Sequence, residues 1–420
     1  MNVKPARRVA GKLRLFFGIS LFWLALSVLS DGMSTLLLPE RVLILGESNQ
    51  QATALGLLSF TGLLAGTIVQ PVAGTWSDRT MPRWGRRGLL MIGSSATMMA
   101  LLVFGFSPGF SGLALGYVLV QLCAGIIQAA QQGFIPDQVP PSDRGLASGM
   151  KSMMDIGGAT VGFVIIGQLL SVGMFTQVIF ICASLILAAL LLTITLVKEK
   201  PLKTTADLPM AGPGWNPFRL DVHHHNRFVW LVVSRFFFLL GTYAVGRFLL
   251  LFIAERLNLP PEVAAEQSGL LLAGLAFITF LISPAAGWAA DRFGRMPLML
   301  FGAIASGVGV LAYIFVVSFG QLVFFGGLLS LGSATFISAN WAMTADVVPR
   351  SEAARYFGLA NVGTGGAAAA AGLFGLLVDG VNRSIPGAGF TALFLAAAAA
   401  FFAASLSLMK LRQTGQPPSE

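Results

Sequence analysis

The feature that most limits what this chain can fold into is a length, repeated. Twelve apolar runs fall at about 15–38, 52–76, 88–106, 111–135, 146–170, 174–197, 228–254, 267–290, 296–318, 321–345, 354–378 and 388–409. At about 1.5 Å per residue, each can cross ~30 Å of hydrocarbon as a helix. Lipid offers no water to an open backbone, so runs of this length predict helices whose hydrogen bonds close within the segment. Composition agrees: 55% of the residues are hydrophobic and 11% charged, against about 25% charged in a soluble domain. A soluble core of this size would need a charged surface that the chain does not supply. The expected fold class is all-α and membrane-integral, with twelve transmembrane helices in two six-helix bundles, 1–197 and 228–420. A proline-rich stretch at 198–227 reads as the linker between them.

Charge then sets orientation. The formal net charge is +9, but the basic residues occupy short connectors and chain ends, which argues against nucleic acid as a partner. With both termini on one side, that side collects 22 Lys and Arg, the other only Arg41, Arg256 and Arg383. The asymmetry predicts cytoplasmic termini in a multi-pass plasma-membrane protein, and the short loops suggest a bacterial inner membrane. The first apolar run is too long for a signal-peptide core and is expected to be retained. Cys123 and Cys182 sit inside apolar runs, and all three histidines, His223 to His225, are consecutive in the linker. Neither pattern resembles a metal site, and no catalytic triad or phosphate loop is present. The expectation is a monomeric non-enzyme without metal or cofactor, whose partners are the bilayer and a small-molecule substrate.

The two halves repeat. "QPVAGTWSDR" at 70–79 returns as "SPAAGWAADR" at 283–292, so Pro71, Gly74, Asp78 and Arg79 recur 213 positions later as Pro284, Gly287, Asp291 and Arg292. Beyond a four-residue difference the offset is 209, matching Gly85-Arg86 to Gly294-Arg295, Asp137 and Pro140 to Asp346 and Pro349, and Gly149 to Gly358. One offset shared by separate motifs indicates a duplicated six-helix unit.

These motifs resemble the signature loop of the major facilitator superfamily: Gly74-x-x-x-Asp78-Arg79 completed by Gly85-Arg86-Arg87, with a degenerate copy between spans 8 and 9. Four extra residues separate Asp78-Arg79 from Gly85-Arg86-Arg87, a form similar to sucrose-type and other glycoside–cation symporters, although Gly88 departs from their continuation. The resemblance implies a carrier with its site between the halves, working by alternating access, with a cytoplasmic latch at this loop. Asp78 and Asp291 are suited to facing a helix N-terminus, where free N–H groups carry partial positive charge. Gly74 and Gly287 are expected to end helices 2 and 8 and to permit close approach to a neighbour. Arg79, Arg86, Arg292, Asp137, Arg144, Asp346 and Arg355 complete the expected gate. A purely topological role is the competing reading for the arginines.

Ionisable residues within spans are costly and therefore mark function. They are Asp31 in span 1, Lys151 and Asp155 on one face of span 5, and Arg235 and Arg247 in span 7. With no histidine in a span, Asp155 and Asp31 are the carboxylates available to carry a coupling cation, a proton more readily than sodium. Lys151 and Asp155, four residues apart, share a helical face; an ion pair at the helix entrance, with the lysine snorkelling to the interface, is the competing reading for them. Gln121 and Gln128 in span 4, Asn340 and Trp341 in span 10 and Asn361 in span 11 are candidates for a neutral polyhydroxylated solute. Amides donate and accept together, and an indole face stacks on a sugar ring. Helix–helix hydrogen bonding is the competing reading for each amide. "GTGGAAAAAG" at 363–372 lacks the Lys-Ser/Thr of a phosphate loop and is expected to pack closely against a partner helix. The resulting expectation is cation-coupled symport of a small polar solute, foremost a sugar. The alternatives are proton-coupled efflux of an amphipathic compound and a non-transporting relative that assists assembly or handles pigment.

Overall fold

The computed structural model describes residues 5–45, 50–140, 143–197, 226–347 and 353–413. The expected linker lies almost wholly outside them. Among the described residues, twelve helices are long and apolar enough to cross a membrane. Spans 1 to 6 run Arg14–Leu45, Gln51–Gly74, Arg86–Phe106, Phe110–Phe134, Gly149–Ser171 and Phe175–Leu196. Spans 7 to 12 run Asn226–Arg256, Pro261–Phe293, Arg295–Phe315, Phe319–Thr344, Leu359–Ser384 and Gly389–Leu411. Every predicted run is therefore a helix, and three boundaries differ for identifiable reasons.

Span 1 was expected to stop before Pro39, yet the helix continues to Leu45. A proline inside a helix lacks an N–H and crowds the carbonyl four residues back, here Thr35. The chain accommodates it by widening into a π-helical turn, Met33–Leu37, in which the Leu38 N–H bonds to the Met33 carbonyl. Span 8 begins at Pro261, six residues before the predicted start at 267, with proline in its first turn and Glu262 beside it. A first-turn proline sacrifices no hydrogen bond, and an acid there suits the helix dipole.

The connector at 74–88 is not an open loop either: helical hydrogen bonding is assigned throughout Gln51–Phe106. The chain nevertheless reverses. A Cβ on Gly125 would strike the Gly66 carbonyl, while one on Gly93 would lie 2.9 Å from Ile127 Cγ1. Gly66 and Gly93 thus touch the same turn of span 4, although a straight helix would hold them about 40 Å apart. The turn between spans 2 and 3 is made of tightly wound backbone.

Two compact units result, one of Met1–Leu45, Thr61–Ala211 and Pro261–Leu270, the other of Gly46–Phe60, Gly212–Pro260 and Leu271–Glu420. In the first, span 1 packs on spans 5 and 6; in the second, span 7 packs on spans 11 and 12. The pairings match under the sequence repeat. Lipid gives helices no hydrophobic reason to associate, so close van der Waals approach has to hold them. In the first unit Gly158 lies on the Leu24 backbone with no room for a side chain. In the second, Gly56 and Gly372 meet backbone to backbone, and Gly363 lies against Val232. The small-residue tract of span 11 is the close-packing strip its composition suggested. Phe238 stacks on Phe336 at 3.9 Å and meets Phe401 edge-on at 5.0 Å, forming an aromatic floor in the second unit.

Candidate functional site

Each unit carries its own polar cluster within the membrane. In the first, Ser27 Oγ lies 3.0 Å from Asp31 Oδ2 and 2.7 Å from Asp155 Oδ1. Helical spacing brings Ser27 and Asp31 together, four residues apart on span 1; packing of span 1 on span 5 adds Asp155. A serine hydroxyl has one proton and can donate to one carboxylate at a time. The second short contact becomes a hydrogen bond only when that carboxyl is itself protonated and donates to Oγ. The cluster thus brings two carboxyls and one hydroxyl within hydrogen-bonding distance. The π-helical turn follows immediately, with Thr35 Oγ1 donating to the Asp31 carbonyl at 2.5 Å.

Lys151 does not form an ion pair with Asp155, the competing reading for these two. Its ammonium lies 3.6 Å from the centre of the Trp23 ring, a contact worth ~0.5–2 kcal/mol that leaves the Asp155 oxygens to Ser27. The glutamines are committed to protein partners. Gln121 Nε2 donates to Tyr117 Oη at 2.9 Å and to Ser34 Oγ at 3.1 Å. Gln128 Oε1 accepts from Gln70 Nε2 at 2.8 Å. Both amides tie span 4 to a neighbouring helix, the competing reading given above.

The second unit presents the opposite charge. Arg235, 8% exposed, donates from Nε to Thr364 Oγ1 at 3.1 Å and from Nη1 to Asn340 Oδ1 at 3.4 Å. Its guanidinium lies 3.8 Å from the centre of the Trp341 ring. Both acceptors are oriented by backbone: Thr364 donates to the Ala360 carbonyl and Asn340 Nδ2 to that of Leu231. The group lines a cavity of about 140 Å3 shared with Leu239, Tyr243, Phe336, Ile337, Asn340 and Thr364. Among the described residues no carboxylate pairs with Arg235. The indole offsets ~0.5–2 kcal/mol, whereas removing a cation from water costs several kcal/mol. Neutral partners orient this charge without neutralising it. Arg247, on the same helix and 4% exposed, differs in having Nε and Nη1 buried without a hydrogen-bond partner.

One position of the first cluster has its counterpart in the second. The offset of 209 carries Asp155 onto Thr364 and Gln131 onto Asn340. Gln131, fully buried, has both amide atoms unpartnered. Sequence reasoning missed Ser27 and Thr364, although Thr364 was within reach once the offset was applied to Asp155. It also missed Glu40, buried beside Arg41 at 3.6 Å, and Asp379, which accepts the Thr53 N–H at 2.5 Å and caps the first turn of span 2. Asn361 is exposed and joins neither cluster.

Of the expected gate, the side chains of Asp78, Arg79, Asp137, Arg144 and Arg355 lie outside the described residues. Arg86 is buried with its guanidinium against Gly133 of span 4. In the second copy Arg295 forms ion pairs with both Asp346 and Asp291, the latter at 3.9 Å, and donates to the Ala342 carbonyl at 2.5 Å. Two predicted acids thus share one cation that the repeat had marked. Arg292 is exposed, 5.4 Å from the Trp288 ring centre. Among the described residues, a Cβ on Gly74 or Gly287 would meet nothing within 4 Å. The backbone contacts fall at Gly56, Gly158 and Gly372 instead, within spans.

Comparison with known proteins agrees with this architecture. The sequence profile of the Major Facilitator Superfamily matches residues 15–276 and 231–420. Multidrug resistance protein 1 of Bacillus subtilis is 29% identical over 161 residues, 38% of this chain and 40% of that protein. A probable nitrate/nitrite transporter of Mycobacterium tuberculosis is 25% identical over 259 residues, 61% of this chain and 62% of that protein. The matched segments thus span under two thirds of either relative. Among solved structures, a bacterial homologue of the human lysosomal transporter Spinster superposes with a TM-score of 0.72 at 16% identity, covering 100% of both chains. A D-xylose–proton symporter gives 0.73 at 16% identity, covering 93% of this chain and 97% of that one.

Proposed function

The chain belongs to the major facilitator superfamily, a transporter and not an enzyme, and from that premise we propose that it is a proton-coupled symporter of a small polar solute. The observation that supports this reading is the Asp31–Ser27–Asp155 cluster, in which two carboxyls from different spans meet on one hydroxyl. Coupling follows if the carrier changes its access when the proton and the solute are both bound or both absent. In this reading the carrier works as a monomer in a bacterial inner membrane with cytoplasmic termini, and the coupling ion is a proton in preference to sodium. Asp78, Asp137, Asp291 and Asp346, with Arg79, Arg86, Arg144, Arg292 and Arg355, form the cytoplasmic gate, with Arg295 as its hub in the second copy.

Asn340 and Trp341 support a sugar as the solute, as does the expanded loop after Asp78. Against it, the face of Trp341 is covered by Arg235. The second reading, proton-coupled efflux of an amphipathic compound, is favoured by the alignment with the multidrug resistance protein, but a buried guanidinium in the cavity suits a polar cargo better. Proteoliposomes loaded with a pH-sensitive dye distinguish the two. Symport acidifies the lumen when an external solute is added, and the Asp155→Asn carrier loses that signal. Alkalinisation on adding a hydrophobic cation would support efflux, and solute uptake that leaves luminal pH unchanged would refute proton coupling altogether.

A further inference from the structure

We infer that the Arg235 cradle is an anion subsite, so that the solute bound there presents a carboxylate or another planar oxyanion. The inference rests on the transporter reading above but concerns a different cluster from the coupling carboxyls. A guanidinium has five N–H donors; Thr364 and Asn340 engage one on Nε and one on Nη1. Three remain, on the Nη1–Nη2 end, where a planar oxyanion accepts two parallel hydrogen bonds. The side chain borders the cavity, and none of its nitrogens is among the sealed, unpartnered atoms of the protein. Trp341 beneath the plane and the two backbone-anchored acceptors fix the fork in one orientation. No carboxylate of the described chain neutralises it. A cation held this rigidly, 8% exposed and without a counter-charge, is organised for an anion that arrives from outside.

The cavity, about 140 Å3, admits nitrate, a short carboxylic acid or the carboxylate end of a larger solute. Symport of one proton with one monoanion moves no net charge.

The test uses the purified full-length carrier in detergent, reading its thermal unfolding midpoint against formate, lactate, glucuronate and nitrate, with glucose as neutral counterpart and chloride at equal ionic strength. Saturable stabilisation by at least one oxyanion, absent with glucose and chloride, is expected. A nitrate-only response assigns an inorganic oxyanion, and a response to the carboxylates assigns an organic acid. Arg235→Gln should weaken the apparent affinity at least tenfold. Because that variant loses packing as well, Asn340→Asp provides a second arm: it supplies a counter-charge 3.4 Å from Nη1. It should raise the unfolding midpoint without ligand and abolish the oxyanion response. Equal stabilisation by glucose and glucuronate, no oxyanion response above chloride, or an unchanged response in Asn340→Asp each overturns the inference. A silent luminal dye together with an intact, Arg235-dependent oxyanion response would refute proton coupling and leave the anion subsite standing.

Discussion

Replacing Ser27 with alanine tests the coupling centre with the least disturbance. The change removes one oxygen from a side chain that is 6% exposed, adds nothing to the packing, and substitutes a stronger helix former within span 1. What disappears is the atom 3.0 Å from Asp31 Oδ2 and 2.7 Å from Asp155 Oδ1. A hydrogen bond to a charged group contributes about 1.5–3 kcal/mol, and each ~1.4 kcal/mol is a factor of ten in an equilibrium. That bond to an ionised carboxyl is present with or without the added proton, so what the alanine variant removes from the proton-loaded state alone is the carboxyl-to-Oγ bond, about 0.5–1.5 kcal/mol, or roughly 2- to 13-fold in its population. Gradient-driven uptake should fall accordingly, and so should solute exchange at equal neutral pH, because both run through the proton-loaded carrier; lowering the pH on both sides should restore the exchange. The assay is parallel uptake and counterflow in proteoliposomes matched for carrier content, with Ser27→Thr, which keeps a hydroxyl, recovering part of the driven flux. Wild-type driven uptake by the alanine variant would show that no proton passes through this bridge.

Three further outcomes follow from the same geometry. Gly56→Ala places a methyl group against the Gly372 carbonyl, backbone that cannot rotate away, and overpacking of this kind costs about 1–3 kcal/mol; a lowered unfolding midpoint in detergent checks it. Gly74→Ala, with nothing within 4 Å of the new methyl, should leave that midpoint unchanged or raise it, and a loss as large as that of Gly56→Ala would refute the placement of the close contacts. Arg295→Ala separates Asp291 from Asp346 and should reduce transport at least tenfold with normal membrane insertion, as should Asp78→Ala; uptake at wild-type levels in either would remove that residue from the gate.

The twelve spans were legible because run length against bilayer thickness is nearly sufficient to define a helix in lipid, and the duplication because one offset links distant motifs. The exceptions are local accommodations. Pro39 reads as a stop, since the sequence does not reveal that five residues, Met33–Leu37, will open into a π turn to admit it. The charged connector reads as a loop because its composition resembles one, although the backbone stays wound through it. The functional clusters were legible as costs: Asp31, Asp155, Arg235 and Arg247 stand out because charge within lipid needs a reason. Their partners were not, because helical spacing reports neighbours only along one helix. It brings Ser27 and Asp31 together, and it equally suggests a direct Lys151–Asp155 contact, whereas the ammonium lies over a tryptophan of another span while still feeling the Asp155 charge.

Duplication also explains why the two clusters differ. The offset of 209 carries Asp155 onto Thr364, so one position of the repeated unit serves both clusters. A proton site and an anion site place incompatible demands on that position. A carboxyl beside Ser27 gains from a neighbouring acid that shares its proton. Beside Arg235 the same carboxyl would sit where Thr364 Oγ1 now accepts from Nε at 3.1 Å, neutralising the guanidinium from within. Such an internal pair would spare the chain the desolvation cost of an unmatched cation, several kcal/mol, and would leave no charge for a ligand. Retaining a hydroxyl at 364 keeps the fork aligned but uncompensated. The stability forgone there is what an anionic solute restores when it binds, which ties the affinity of the site to the very charge the fold leaves open.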